Sequence, residues 1–478
     1  MRRLLQLRGS SDRWVVTNDL GEFVILDSAA AKALRAQSLP YDHPHYLDLE
    51  ARGLLEPDGP KGGLADIVRR TRKAFLREDP SLHIFVVTLR CDHSCQYCQV
   101  SRASLNARGK DMSWEDAQHA IARVCESAAP AITVEFQGGE PALRFDLVRT
   151  IVEELEARFH GDDRSLQFTM ATTLHLLSDD DLVYCHDHSI HLSTSLDGAE
   201  EVHAKQRVLP GENSWAKTIS AIDRARTILG EGALAALPTI TRAALTAPET
   251  IVDAYVRHGF RAIFLRPLAP YGFARKTRSV LGYSMAEFNR FYAQALEHIL
   301  MLNQSGVEVE ETMAAIVLRH ILTPFHSGYM DLRSPAGAGL GVLVYNYDGG
   351  VYPSDEARMA AETGDGRFRL GSVKQPLDEL LESPAMKWLA RGAVAEVLPG
   401  CTECAYVPYC GADPVHHAMV DGDPAFPRAG TDFCDRHKAV FDILFNYIAD
   451  DDPETMRTFQ AWAFGVRREE ANPHWMER

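Results

Sequence analysis

The sequence predicts an α/β fold: a partial parallel barrel, with a small N-terminal unit before it and a cysteine-bearing region after it. Three observations predict this. Between residues 82 and 305 β-rich runs and helical runs alternate six times, the pattern of a parallel barrel short of its full eight repeats. Distinctive residues fall repeatedly just after the strands, where such barrels place their chemistry. Seven of nine cysteines fall into two patterned groups, Cys91/95/98 and Cys401/404/410/434.

Taken in order, residues 1–80 form the first unit. "WVVTNDLGEFVILD" reads as two β-rich runs around the Asn18–Gly21 turn, followed by helical stretches at 28–37 and 44–54. This is the pattern of a small winged-helix domain with an open β-edge. "EPDGPKGGL" (56–64) is a linker, and "IVRRTRKAFLRE" a basic helix. The barrel spans 81–305. Strand "LHIFVVTLR" leads through the first cysteine loop to helix 113–128, and "AITVEFQ" runs through "GGEPAL" to helix 145–159. "SLQFTMATTL" precedes helix 178–187, and "IHLSTSL" precedes helix 214–229. "LAALPTIT" precedes helix 248–258, and "AIFLRPL" precedes helix 285–304. In the third region, 306–478, "GLGVLVYNYDGGVYPS" reads as a hairpin turning at Asp348–Gly350, and a helix-rich tail covers 437–465.

Composition narrows the function. The chain has 478 residues, 46% hydrophobic and 24% charged, enough for a large core. A formal charge of -16 disfavours a nucleic-acid partner, which calls for a basic face. No stretch reads as a signal peptide, and no apolar run approaches the roughly 20 residues of a membrane span. The expectation is a soluble cytoplasmic protein, where grouped cysteines read as metal ligands rather than disulfides. Cys125 and Cys185 stand alone on helices and read as inert thiols.

Cys91, Cys95 and Cys98 are spaced C-x3-C-x2-C on the loop after the first barrel strand. Three close thiolates suit three corners of a [4Fe–4S] cluster with one iron open, whereas zinc sites usually supply four protein ligands. Here the sequence resembles the radical S-adenosylmethionine (SAM) superfamily. The resemblance implies that SAM chelates the fourth iron through its amino and carboxylate groups, and that an electron from the cluster releases a 5′-deoxyadenosyl radical. It also implies SAM contacts at Gly138, Gly139, Glu140 and Pro141 ("GGEP") and at Ser195, Asp197 and Arg207. Tyr97 resembles the aromatic beside the adenine, and Arg266 follows the sixth strand where SAM or substrate would lie. Thr173 stands where many relatives carry Asn.

Cys401, Cys404, Cys410 and Cys434 can enclose one further cluster, or a structural zinc. The region resembles the SPASM extension of peptide-modifying radical SAM enzymes, with a difference. Ser334, Ser354 and Pro414 stand where that extension has cysteines serving its first auxiliary cluster, while the four retained cysteines serve its second. One auxiliary [4Fe–4S] cluster is therefore expected. Asp355, Asp413 and His416 flank this altered frame and are candidates for proton transfer.

From about residue 10 to 465 the sequence is similar to the His-Xaa-Ser system radical SAM maturase (HxsB) family. The segments "SLHIFVVTLRCDHSCQYCQVSR", "IFLRPLAPYGFA" and "SPAGAGLGVLVYNYDGGVYPSDEARM" carry that likeness. It implies a ribosomally made precursor peptide with His-Xaa-Ser repeats, a crosslink or similar modification, a second radical SAM maturase as partner, and an external electron donor. The N-terminal unit resembles the PqqD-like domain, which can take a leader peptide as an added strand. A radical SAM enzyme acting on tRNA, and a non-catalytic partner that presents the peptide, are the alternatives.

Overall fold

The structure is a computed structural model that describes residues 1–59 and 62–471; the linker at 56–64 lies partly outside the described residues. Strands β1 (Arg3–Gln6), β2 (Trp14–Thr17) and β3 (Phe23–Leu26) form an antiparallel sheet in that order. β1 adds to the two expected strands. Helices Ser28–Arg35 and Tyr46–Ala51 follow, each a little shorter than the sequence pattern.

Strand alternation divides this unit's contacts. Val16, Val24 and Leu26 pack on Ala30, Leu34 and Leu49 of the unit's own helices. Val15 and Phe23, on the other face, join the main core, where Phe23 meets Phe445 edge-on at 5.2 Å. Thr17 Oγ1 donates to Ala405 O (2.8 Å), and Tyr409 Oη donates to Gly21 O (2.9 Å). The unit therefore braces the segment that carries the C-terminal cysteines.

The barrel wall begins with β4 (Leu82–Thr88), β5 (Ala131–Gly138), β6 (Ser165–Ala171), β7 (Ile190–Ser195) and β8 (Leu234–Leu237), all parallel in chain order. β4 is apolar apart from His83 and Thr88 and is buried on both faces, as a central parallel strand requires. Helix Trp114–Glu126 shows why the crossovers pack. Ser113 caps it by accepting from Asp116 N (3.0 Å), and Ala117, Ala120, Ile121 and Val124 line one buried stripe.

The expected sixth strand, 262–268, is broken. β9 (Thr239–Ile240), β10 (Ala262–Ile263), β11 (Arg266–Pro267) and β12 (Glu310–Glu311) form two short parallel pairs, β9 with β11 and β10 with β12. The cause is a buried carboxyl. Glu311 accepts from Leu265 N (3.1 Å), Ala314 N (2.6 Å) and Tyr292 Oη (2.5 Å), taking an amide that a continuous strand would give its neighbour.

The C-terminal hairpin forms as the turn predicts, but it belongs to the barrel sheet. β13 (Val342–Tyr345) pairs parallel with β4, Val342 opposite Leu82. β14 (Gly350–Tyr352) and β15 (Gly371–Ser372) extend the sheet antiparallel beyond it. Helices Asp432–Asp450 and Pro453–Phe464 complete the core. No helix among the described residues is long and apolar enough to cross a membrane.

Candidate functional site

The chain leaves β4 at Thr88 and enters the first cysteine loop. Backbone bonds fix this loop from three sides: Cys91 N to Ala103 O (3.1 Å), Ser94 N to Val208 O (2.7 Å) and Phe273 N to Cys98 O (2.8 Å). The glycines after β5 fix it from the fourth. Gly139 N donates to Thr88 O and Glu140 N to Arg90 O, both at 2.8 Å. A Cβ on Gly138 would lie 2.2 Å from Thr88 O, and one on Gly139 would lie 2.4 Å from Leu89 O and Arg90 O. The close approach these glycines permit is thus to the cysteine loop's own backbone.

Glu140 is buried and ties this corner to the end of β6. Its carboxylate accepts from Thr172 Oγ1 (2.5 Å), Thr173 N (2.7 Å) and Ala142 N (2.9 Å). Pro141, also buried, starts the short helix that follows.

These elements surround a cavity of about 260 Å³ lined by Cys91, Cys95, Cys98, Gly138, Thr173 and Ser195, and also by Tyr97, Arg207, Arg266 and Asp355. Four polar atoms on its wall are buried without a hydrogen-bond partner among the described residues: Thr173 Oγ1, Thr194 Oγ1, His93 Nε2 and Arg102 Nε. Unpaired buried polar atoms are costly, and a polar ligand would satisfy them.

Tyr97, Asp197 and Arg207 form one network. Tyr97 Oη donates to Asp197 Oδ2 (2.5 Å) and accepts from Arg207 Nη1 (2.9 Å), while Asp197 Oδ1 accepts from Thr239 N (3.0 Å). The Tyr97 ring packs on Ala274 and Leu281, so the residue serves the loop's anchorage as well as the cavity wall. Burial raises the Asp197 carboxyl despite Arg207 beside it.

Asp92, His93 and His175 were not singled out by the sequence. Asp92 meets His93 Nδ1 at 2.9 Å and His175 Nε2 at 2.7 Å. Burial opposes its charge, but bonds from His175 and His93 hold it well below the usual carboxylate range. A carboxylate–imidazole pair inside a cysteine spacer was the available signal.

A second cleft of about 190 Å³ adjoins the first, sharing Gln99, Thr239 and Arg266 in its wall. Asp331, Glu356, Asp413 and His416 face it. Asp413 takes the left-handed conformation (φ 36°) and caps helix Pro414–Val420 by accepting from His416 N (3.0 Å). His416 Nδ1 meets Tyr271 Oη at 3.0 Å. Burial, with Asp331 nearby, raises both Glu356 and Asp413, so this pair holds a proton toward neutral pH. Burial holds His416 neutral, with a pKa lowered to about 4. Asp355 stands apart on the first cavity, bound to Arg358 at 2.7 Å.

The second cysteine group closes on itself. Cys401, Cys404, Cys410 and Cys434 surround a void of about 30 Å³ among Tyr406, Val407, Phe433 and Phe441. Burial pushes the Cys401 thiol up to about 11 and Cys410 well above its ordinary value. A tetrahedral zinc needs sulfurs about 3.8 Å apart. Among the described residues, the group with ligand atoms within 4.8 Å of one another is Cys91, Asp92 and His93; these four thiols stand wider. Four thiols around one void can hold a cluster or a single ion.

Ser334, Ser354 and Pro414 serve three separate local purposes. Ser334 Oγ donates to Glu396 and accepts from Ala395 N (2.9 Å). Ser354 caps helix Asp355–Glu362, accepting from Ala357 N (3.2 Å), and Pro414 opens the helix that Asp413 caps.

Residues 85–242, the cysteine loop through the end of β9, match the family model described as the Radical SAM superfamily. The chain contains a radical SAM domain. An uncharacterised protein of Methanocaldococcus jannaschii is 29% identical over 117 residues, 24% of this chain. The chain spans only 38% of that relative's length. Among solved structures, anSMEcpe with bound AdoMet superposes with a TM-score of 0.63 at 16% identity, over 77% of this chain and 98% of that one. SuiB of Streptococcus suis, bound to precursor peptide SuiA, gives 0.53 at 14% identity over 90% and 99%. These likenesses establish the fold.

A radical SAM domain implies a [4Fe–4S] cluster and SAM, and the residues present fit them. Three cysteines share one cavity wall with unpaired polar atoms opposite. Burial pushes the Cys91 thiol up strongly and Cys95 to about 11, so neither is a thiolate without a cation beside it. Cluster iron would supply that cation.

Proposed function

We propose that this protein is a peptide maturase. It abstracts hydrogen from a ribosomally made precursor of the His-Xaa-Ser repeat type and installs a modification such as a crosslink. The observation that carries this reading is the pair of joined cavities. One is lined by the three cysteines, and the next is lined by carboxyls and wide enough for a side chain. The solved neighbours in this fold include SuiB bound to precursor peptide SuiA.

SAM, once bound at the cluster, supplies a 5′-deoxyadenosyl radical. The chain's own residues do the rest. Cys91, Cys95 and Cys98 hold the cluster, and Ser195, Thr173 and Arg266 line the SAM cavity. Asp355, on the wall of that cavity and paired with Arg358, takes the proton the substrate gives up. Glu356, Asp413 and Asp331 make the adjoining cleft acidic, which favours hydrogen-bond donors such as imidazole and hydroxyl. Cys401, Cys404, Cys410 and Cys434 hold one auxiliary cluster in a SPASM-like region, and the N-terminal unit recognises the leader in a PqqD-like manner. An electron donor and a second maturase complete the system, in the cytoplasm.

The test is anaerobic incubation of reconstituted protein with SAM, dithionite and a synthetic His-Xaa-Ser repeat peptide. Peptide-dependent 5′-deoxyadenosine with an equal yield of mass-shifted peptide supports the reading. 5′-Deoxyadenosine that forms without any peptide change, across His-Xaa-Ser repeat peptides, rejects it.

A further inference from the structure

A third cavity, of about 440 Å³, lies between the N-terminal unit, the basic helix Gly63–Arg72 and the second cysteine group. Its wall reverses the charge of the chain. Arg3, Arg69, Arg72 and Lys73 face it, against Asp19 and Glu396. The two carboxylates are already engaged, Asp19 by Arg3 (2.6 Å) and Glu396 by Lys73 (2.7 Å), and Arg69 pairs with Asp66 on its own helix (3.0 Å). Arg72 makes no salt bridge among the described residues. It gives Nη1 to the carbonyl of His320 (3.0 Å), and its buried Nε has no hydrogen-bond partner among them. A buried guanidinium left without a carboxylate on a wall of four cations, in a chain of net charge -16, makes a local site for an anion.

The rim is apolar. Phe75 lies 5.1 Å from His326, ring to ring, and both line the cavity. Their chain neighbours Leu76 and Phe325 are 50% and 54% exposed. Val397, next to Glu396, is 71% exposed, and Ile67 on the basic helix is 59% exposed. Phe75, Phe325, Leu332 and Val407 line the cavity itself, and apolar side chains in a charged cleft mark a surface for a chain rather than for a small ion.

We propose that this cleft binds an acidic peptide segment, its carboxylates on Arg69, Arg72 and Lys73 and its apolar side chains on Phe75, Phe325 and Val407. The inference rests on the reading of this protein as a peptide maturase. It assigns recognition to the seam between the N-terminal unit and the cysteine-bearing region, apart from the open β-edge. A peptide held here touches the wall that includes Cys410, so binding is felt at the second cysteine group.

The test is a phage-displayed library of random dodecapeptides selected against the reconstituted protein. Parallel selections use Arg69→Glu and Lys73→Ala, with melting curves to check folding. The enriched peptide is then synthesised with a neutral fluorophore, beside a copy with Asp and Glu changed to Asn and Gln, and titrated by anisotropy. The expected result is enrichment of Asp and Glu beside an apolar residue, with binding at least tenfold weaker for the neutral copy and for either variant. No acidic enrichment, or enrichment and affinity unchanged in both variants, overturns the inference. Acidic binding in a protein that modifies no peptide leaves the cleft standing and removes the maturase reading; the converse result does the reverse.

Discussion

The two cysteine groups use the same side chain for opposite ends. Cys91, Cys95 and Cys98 open onto a cavity of about 260 Å³ edged by unpaired polar atoms. Cys401, Cys404, Cys410 and Cys434 close on a void of about 30 Å³ among aromatic rings. Three ligands with space beside them leave a coordination position for a cosubstrate, whereas four ligands in an apolar shell exclude one. The first group sits at the ends of parallel strands, where a barrel exposes its loops. The second is clamped between the N-terminal unit and helix Asp432–Asp450. On the proposed reading, reactivity belongs to the open group, and electron relay or structural support to the closed one.

The comparison breaks most visibly under Cys91/95/98→Ala. Reconstituted protein is expected to hold about eight irons per chain, falling to about four in the variant, with 5′-deoxyadenosine formation abolished. Iron and sulfide analysis with EPR reads the outcome. About four irons and one zinc in the wild type would make the closed group a zinc site and remove its part in electron transfer. About twelve irons would mean that Ser334, Ser354 and Pro414 do not mark a lost cluster.

Asp355→Asn tests what the open group serves. Removing the proton acceptor should lower modified peptide by about 100-fold. SAM cleavage should continue, so 5′-deoxyadenosine accumulates without product. Equal loss of both would place Asp355 in SAM binding rather than in proton transfer.

Gly139→Ala is the third test, and smaller. Its Cβ meets two carbonyl oxygens that cannot move without shifting Cys91, so stability should fall by about 1–3 kcal/mol. A lowered melting temperature, with weaker SAM binding by calorimetry and four irons retained at the closed group, would show that the two centres are mechanically separate.

Much of the barrel was legible in the sequence because its strands are apolar runs bounded by turn residues and its helices carry caps. Helices 145–159, 214–229 and 285–304 have the predicted bounds. Four features were not legible. β1 is too short and too charged to read as a strand. The break in the sixth strand depends on Glu311, some 45 positions along the chain, accepting from Leu265. The pairing of β13 with β4 joins segments 260 residues apart, a relation that local pattern does not encode. The role of "GG" depends on which backbone lies opposite. In the site, the cysteines were readable from spacing, while Asp92–His175 and the Glu356–Asp413–Asp331 cluster exist only once the chain is folded.

That acidic cluster supplies the smallest and most specific test, because the closed cysteine group has no counterpart to it. Glu356 is raised by burial and then by Asp331, Asp355 and Asp413, and Asp413 by burial and then by Asp331. A carboxyl raised on folding keeps a proton in the native chain that the unfolded chain has already lost. By linkage its contribution to stability is full below the ordinary carboxylate pKa and is lost as pH rises through the raised value. Stability should therefore decline from about pH 4.5 toward pH 8 by an amount on the order of 1 kcal/mol traceable to this pair. Glu356→Gln, which keeps the shape and removes the charge, should flatten that part of the curve and leave the protein more stable at pH 8. Denaturant titrations at a series of pH values measure it. An unchanged slope in the variant would mean that Glu356 is ionised in the folded protein, and the adjoining cleft would then carry a full negative charge at neutral pH. The donor preference proposed for the substrate side chain would become a preference for a cation.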